Sequence, residues 1–307
     1  MDRNSTITKV IFLIAVVFVC TAVLSTRTAT AGAEPLNLFI AYSDTGLSHE
    51  EFTIASGQLA EMLGEKLDRR VMAMVPPGDP NRSNDWVILA AQQGRADISG
   101  MRAFAYLVAH DTAGAEIIAN SFRFGQNYYL SQIMTHDLTG FTELSDFDGV
   151  DFCWADPNSF SGYVIPSLVL QAAGVTPGPG SQFVAGHPAV IQMLYYHDCD
   201  AGASYVDVRD SIQGEFPDVY DVVPVIHVSP PIPNDGFSVA ADLSADWKMA
   251  IAAALLEISE DEAGLPLLEQ LGFTTLVPTD QSLFAGVEEL LSAAGISSQE
   301  FWDTLPW

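Results

Sequence analysis

The residues with the densest chemistry are Asp156-Pro157-Asn158-Ser159-Phe160-Ser161-Gly162, ahead of the apolar run from Tyr163 to Ala173. Asp-Pro-Asn favours a turn, two hydroxyls stand two residues apart, and Pro166 falls in or just after a first helical turn, where a missing N–H costs little. The first N–H groups of a helix have no internal acceptor and lie at the positive end of its dipole. With Ser159 and Ser161 as added donors and Gly162 allowing close backbone approach, the stretch suits an anion without any lysine or arginine. A plain serine-capped helix uses the same residues. The local pattern leaves both readings open.

The elements around this stretch alternate between strand and helix. Residues 149–154 read as the strand that feeds the loop, and residues 163–173 as the helix that leaves it. Before them come strands at 36–41, 71–75 and 96–100, helices at 50–67, 86–93 and 103–110, and a longer strand at 128–135. After them come strands at 182–184, 201–205 and 222–228, and helices at 188–196, 244–258, 267–271 and 284–294. The β-α order implies a mostly parallel sheet in each of two α/β lobes. The chain crosses over near residue 135 and returns near 230, which gives a first lobe of residues 34–135 plus 236–307 and a second of 136–235. Two strands form the hinge between them. Ligands in such folds lie between the lobes at the carboxyl ends of strands, so the serine loop faces the cleft.

Charge narrows the partners. The 307 residues carry 12 Lys and Arg against 39 Asp and Glu, a net charge of −27, which excludes nucleic acid and anionic membrane surfaces. A contact-range helix N-terminus still holds an anion, because exposed charges are screened beyond about 8 Å at physiological salt. Arg3 and Lys9 precede the apolar run Val10 to Leu24 and the small residues Ala29-Thr30-Ala31. Residues 1–31 therefore read as a secretory signal peptide, with an uncleaved anchor as the alternative. Cys20 lacks the flanking small residue that lipidation needs. Cys153 and Cys199 are either a disulfide, should their strands be neighbours in an oxidising compartment, or two buried thiols.

The loop, then Gly186-His187, Asp200-Ala201-Gly202-Ala203, Asp207 and Pro231-Ile232-Pro233-Asn234-Asp235, resembles the phosphonate, phosphite and phosphate-binding proteins of ABC importers. The resemblance extends from about residue 36 to Leu271-Gly272-Phe273 and Val277-Pro278. It implies a type II periplasmic-binding-protein fold and, position by position, a ligand shell. Ser159, residue 160 and Ser161, with the amides behind them, hold the phosphoryl oxygens, and Tyr128 and His187 complete that shell. Phe160 stands where relatives commonly carry Thr, so it offers only its N–H. Asp207 and Asp235 lie where acids bind an amino group, Asp207 being a methylene shorter than the Glu of some relatives. Trp86 is the matching first-lobe aromatic.

The expected protein is a monomeric, extracytoplasmic solute-binding protein that delivers a phosphorus oxyanion to the transmembrane permease subunits. Four or five charge-assisted hydrogen bonds of roughly 1.5–3 kcal/mol each, less the cost of association, reach micromolar or tighter affinity. Asp207 and Asp235 favour an aminoalkylphosphonate, whereas Phe160 and Trp86 narrow the cavity towards phosphite or phosphate. A carboxylate facing a phosphoryl group calls for a P–OH proton. Two alternatives stand beside this reading: a sensor that reports ligand to a membrane receptor, and a hydrolase with Ser159 or Ser161 as nucleophile and His187 as base. The hydrolase lacks a Gly-x-Ser-x-Gly elbow and a group to orient the histidine. No cofactor or metal is expected, because adjacent residues such as His197-Asp198-Cys199-Asp200 rarely converge on one ion.

Overall fold

A computed structural model describes residues 34–43, 45–77 and 80–306. The expected signal peptide at 1–31 and Cys20 lie outside these residues. The first sheet begins with β1 (Leu36–Ile40), β2 (Val71–Met74), β3 (Ile98–Met101) and β4 (Glu116–Ser121). Between them run α1 (His49–Leu67), α2 (Ser83–Gln92) and α3 (Ala103–Ala113). Helix α1 shows how the sequence sets its own limits. Ser48 Oγ accepts the Glu51 N–H at 3.2 Å while the Glu51 carboxylate takes the Ser48 N–H at 2.8 Å, a reciprocal cap of about 1 kcal/mol. Phe52, Ala55, Leu59 and Leu63 form its buried stripe, and Asp68 ends it in the left-handed region.

The chain leaves the first sheet through β5 (Tyr128–Tyr129) and builds a second from β6 (Ser131–Thr135), β7 (Phe152–Trp154), β8 (Gln182–Phe183), β9 (Ala201–Tyr205) and β10 (Val225–Val228). Helices α4 (Ile165–Ala172), α5 (His187–Tyr195) and the short α6 (Val219–Val222) connect them. It returns through β11 (Ile232–Pro233) and β12 (Gly236–Val239) and finishes with α7 (Ala245–Glu260), α8 (Gly264–Gln270), β13 (Leu276–Pro278), α9 (Ala285–Ala294) and α10 (Ser298–Asp303). The strand orders are β13-β4-β12-β3-β1-β2 and β10-β6-β9-β7-β8, and β5 pairs with β11 as a separate antiparallel ribbon, Tyr129 opposite Ile232 and Tyr128 opposite Pro233.

Three details differ from the sequence reading. The run 128–135 is two strands: Tyr128 and Tyr129 pair in the hinge, whereas Ser131 to Thr135 pair with β9 and β10. Leu130, whose carbonyl accepts the Val206 N–H at 3.0 Å, is the turning point. The outward crossing therefore falls at 128–129 rather than near 135, whereas the return runs through 232–233, beside the expected 230. The sheets are also mixed: β12 returns antiparallel between β3 and β4, and β6 runs antiparallel to β9 and β10, while β4 and β12 are strands that the pattern of the sequence does not announce. Finally, α9 lies against α4 of the second lobe while α10 lies against α3 of the first. Phe104, Phe160, Leu168, Phe284 and Trp302 accordingly share one core between the lobes, separate from the cores of the first sheet (Leu38, Phe52, Phe237) and the second (Met134, Val190, Leu194).

Candidate anion-binding site

Strand β7, paired with β9 on one side and β8 on the other, delivers the chain to the serine loop at its carboxyl end. Asp156 Oδ1 accepts the Asn158 N–H at 2.7 Å and the Asp156 carbonyl accepts the Ser159 N–H at 3.1 Å, a local turn of the kind Asp-Pro-Asn favours. From Phe160 to Val164 the chain makes one wide π-type turn before α4, with Pro166 near the start of that helix. The Tyr163 and Val164 N–H groups both reach the Ser159 carbonyl, at 2.9 and 3.0 Å. Ser159 Oγ accepts the Gly162 N–H at 3.0 Å. The N–H groups of Phe160 and Ser161 precede the first helical hydrogen bond, the position where a helix end offers donors to an anion.

Ser159 is held from behind. Its Oγ lies 3.1 Å from His187 Nε2, and His187 Nδ1 lies 2.7 Å from Ser204 Oγ on β9. Either tautomer satisfies this chain, because a hydroxyl both donates and accepts. Both imidazole nitrogens are thus engaged, and His187 acts on the loop through Ser159. Burial pushes its pKa below the usual histidine value, with the nearby Asp156 charge opposing. Gly162 is required by close approach: a Cβ there meets Ala155 Cβ at 2.5 Å, Ser159 Oγ at 2.9 Å and His187 Cε1 at 3.1 Å. Ser131 Oγ fixes the next part of the turn by donating to the Ser161 carbonyl at 2.6 Å.

The other predicted residues divide. Tyr128 lies in the hinge ribbon opposite Pro233, and Asp235, just past that ribbon, accepts the Ala103 N–H at the start of α3 through its Oδ1, 3.3 Å away. Burial raises the Asp235 pKa, against the pull of Arg102 and Arg123. The Tyr129 phenol is likewise pushed up, by burial and then by the Asp235 charge. Phe160 turns its ring away from the loop amides and towards Phe104 of α3, 6.4 Å between centroids. Asp207 is exposed, in left-handed backbone at φ 67°, and its charge acts on Arg209. Trp86, on α2, is 48% exposed. No described contact joins Asp207 or Trp86 to the serine loop.

The structure adds three residues that the sequence reading missed. Ser204 orients His187 and Ser131 braces the turn, but a lone serine in a strand has no local signature. Arg102 reaches the loop from the first lobe, its Nη1 3.4 Å from the Asn158 carbonyl. No group of three or more His, Cys, Asp or Glu side chains able to hold a metal occurs among the described residues. Cys153 and Cys199 are joined in a disulfide, Cα atoms 6.1 Å apart, because β7 and β9 are parallel neighbours.

Two α/β lobes joined by the two-stranded ribbon of β5 and β11 define a type II periplasmic-binding-protein fold. A Xanthomonas citri protein bound to ATP shares this fold with a TM-score of 0.61 at 19% identity, over 89% of this chain and 100% of that one. So does the Prochlorococcus marinus protein in complex with methylphosphonate, with a TM-score of 0.52 at 14% identity over 85% and 98%. The profile of the phosphonate ABC transporter periplasmic substrate-binding proteins matches residues 46–284, and the chain belongs to that family. A curated relative, the phosphate-import protein PhnD of Mycolicibacterium smegmatis, is 25% identical over 233 residues, which span 69% of this chain and 65% of that one, less than two thirds of the relative's length.

Proposed function

We propose that the protein captures a phosphorus oxyanion, phosphonate, phosphite or phosphate, by closing its lobes over it, and delivers it outside the cytoplasmic membrane to the permease subunits of an ABC importer. The observation that supports this reading is the start of the Phe160–Val164 turn, where two leading amides stand beside a serine held by His187 and Ser204. Ser159, Phe160 N–H, Ser161 and Gly162 form the cradle in this reading, with Tyr128 and Asp235 at its hinge side and Asp207 at its rim. No helix among the described residues is long and apolar enough to cross a membrane. The protein acts as a monomer and needs no turnover, because contacts made only in the closed state supply the work of capture.

Calorimetric titration of the purified protein with phosphate, phosphite, methylphosphonate and 2-aminoethylphosphonate in one buffer tests this. Micromolar or tighter binding of at least one is expected, and silence with all four removes the reading. The Ser159-His187-Ser204 chain gives the hydrolase alternative the orienting group that the sequence lacked. A neutral serine, however, stabilises an imidazolium far less than the carboxylate of a hydrolytic triad. Release of product from a phosphoryl or carboxyl ester, abolished by Ser159→Ala, is the result that would favour catalysis instead. Co-purification with a receptor in place of a permease would favour the sensor.

A further inference from the structure

The cradle described so far belongs to the second lobe and the hinge, so closure needs a partner group on the first. Arg102 is placed for this. It precedes α3 in extended backbone, its N–H is held by Asn84 Oδ1 at 3.2 Å, and its side chain is half-buried. Its Nη1 crosses to the second lobe, 3.4 Å from the carbonyl of Asn158, the residue before Ser159. The same guanidinium acts electrostatically on Asp235 and Tyr129. It therefore stands between the hinge carboxylate and the serine loop. One long bond to a neutral carbonyl uses one of the five donors of a planar fork that matches phosphoryl oxygens.

We infer that Arg102 is the specificity-determining contact of the first lobe: it meets the phosphoryl oxygens in the closed cleft, with Asp235 as counter-ion, and selects a small oxyanion without an amine over an aminoalkylphosphonate. This rests on the proposed anion-binding reading and deepens it. An ammonium tail needs a carboxylate that is not already balanced. Asp235 accepts the Ala103 N–H and faces both Arg102 and Arg123. Asp207 is exposed at the rim, with Arg209 in its field. A cationic tail in the cleft therefore meets a fixed positive charge, and like charges in a poorly solvated site repel.

The test is calorimetry on the wild-type protein, Arg102→Gln, Arg102→Lys and Ser161→Ala with methylphosphonate and 2-aminoethylphosphonate. Wild type should bind methylphosphonate at least about tenfold more tightly than the amine. Arg102→Gln should lose at least about tenfold in methylphosphonate affinity with its unliganded melting temperature nearly unchanged, and Arg102→Lys should recover part of the loss, since it keeps the charge without the fork. Wild-type preference for 2-aminoethylphosphonate overturns the inference, and that measurement decides the matter even if the glutamine variant fails to fold. Arg102→Gln binding as wild type does while Ser161→Ala weakens both ligands also overturns it and leaves the cradle standing. Absence of binding by wild type removes both.

Discussion

Phe104 of α3 and Phe160 of the serine loop face each other across the two lobes, ring centroids 6.4 Å apart and planes inclined by 32°. Phe104 also lies 6.1 Å from the Trp302 ring at 10° and 5.6 Å from Phe301, so a column of aromatics runs from α10 through α3 to the ligand loop. In the proposed function Phe160 contributes to closure with its ring and to the anion with its backbone alone. The pair joins the two lobes, so its loss should act on the equilibrium between open and closed forms.

Replacing Phe160 by Ala should accordingly weaken phosphate, phosphite and methylphosphonate alike, by about tenfold or more, since each gains from the same closure. Small-angle scattering should show a larger radius of gyration for the unliganded variant. Equal affinities and an unchanged radius would remove the ring pair from the mechanism.

The His187 pKa is lowered mainly by burial, with Asp156 opposing. In the window below the usual value near 6.5, the unfolded chain binds a proton that the folded chain resists, so stability rises with pH and is lost as pH falls. The unliganded protein should melt at a lower temperature at about pH 5.5 than at about pH 7.5. Half-buried His227 contributes with the same sign, so the decisive comparison is with His187→Gln, in which the drop should shrink. An equal drop in the two proteins assigns the effect elsewhere.

Much of this site was legible because local chemistry writes itself into short patterns. Asp-Pro-Asn specifies a turn, Ser159 specifies a helix start, and Pro166 requires an early position in the helix, and the structure shows all three in place. The alternation of strand and helix implied two lobes on a two-stranded hinge, and resemblance supplied the type II fold. What stayed hidden depends on which segments meet. The break at Leu130 arises because β5 pairs with β11 while β6 pairs with β9 and β10. Arg102, Ser131 and Ser204 matter through neighbours 56, 30 and 17 residues away, distances over which no periodic pattern survives. Trp86 was chosen as a first-lobe aromatic, whereas the aromatic that faces the loop is Phe104.

The disulfide between Cys153 and Cys199 closes a separation of 46 residues that includes β8 and α5, hence the segment that presents His187. Constraining such a loop in the unfolded chain is worth about 2–4 kcal/mol. Reduction, or the double change Cys153→Ser and Cys199→Ser, should lower the unfolding free energy by about that amount, and with it the denaturation midpoint, and weaken ligand binding where the second lobe loosens. A midpoint insensitive to reductant would show that the two thiols are not joined in solution.

Asp235 offers a test of which protonation state the cleft accepts. Its carboxyl takes the Ala103 N–H, and a carboxylate in this position cannot donate to a phosphoryl oxygen; it pairs with a P–OH. Phosphate keeps such a proton as either of its common anions, whereas methylphosphonate loses its own at the second ionisation. Affinity for methylphosphonate should therefore fall as pH rises through that step, and affinity for phosphate should fall less. Asp235→Asn keeps an oxygen for the Ala103 N–H and adds donors towards the ligand, so the variant should bind the methylphosphonate dianion at least as well as the monoanion. Parallel pH profiles for the two ligands in the wild-type protein, unchanged by Asp235→Asn, would place Asp235 outside the phosphoryl contacts and leave it as a cap on α3.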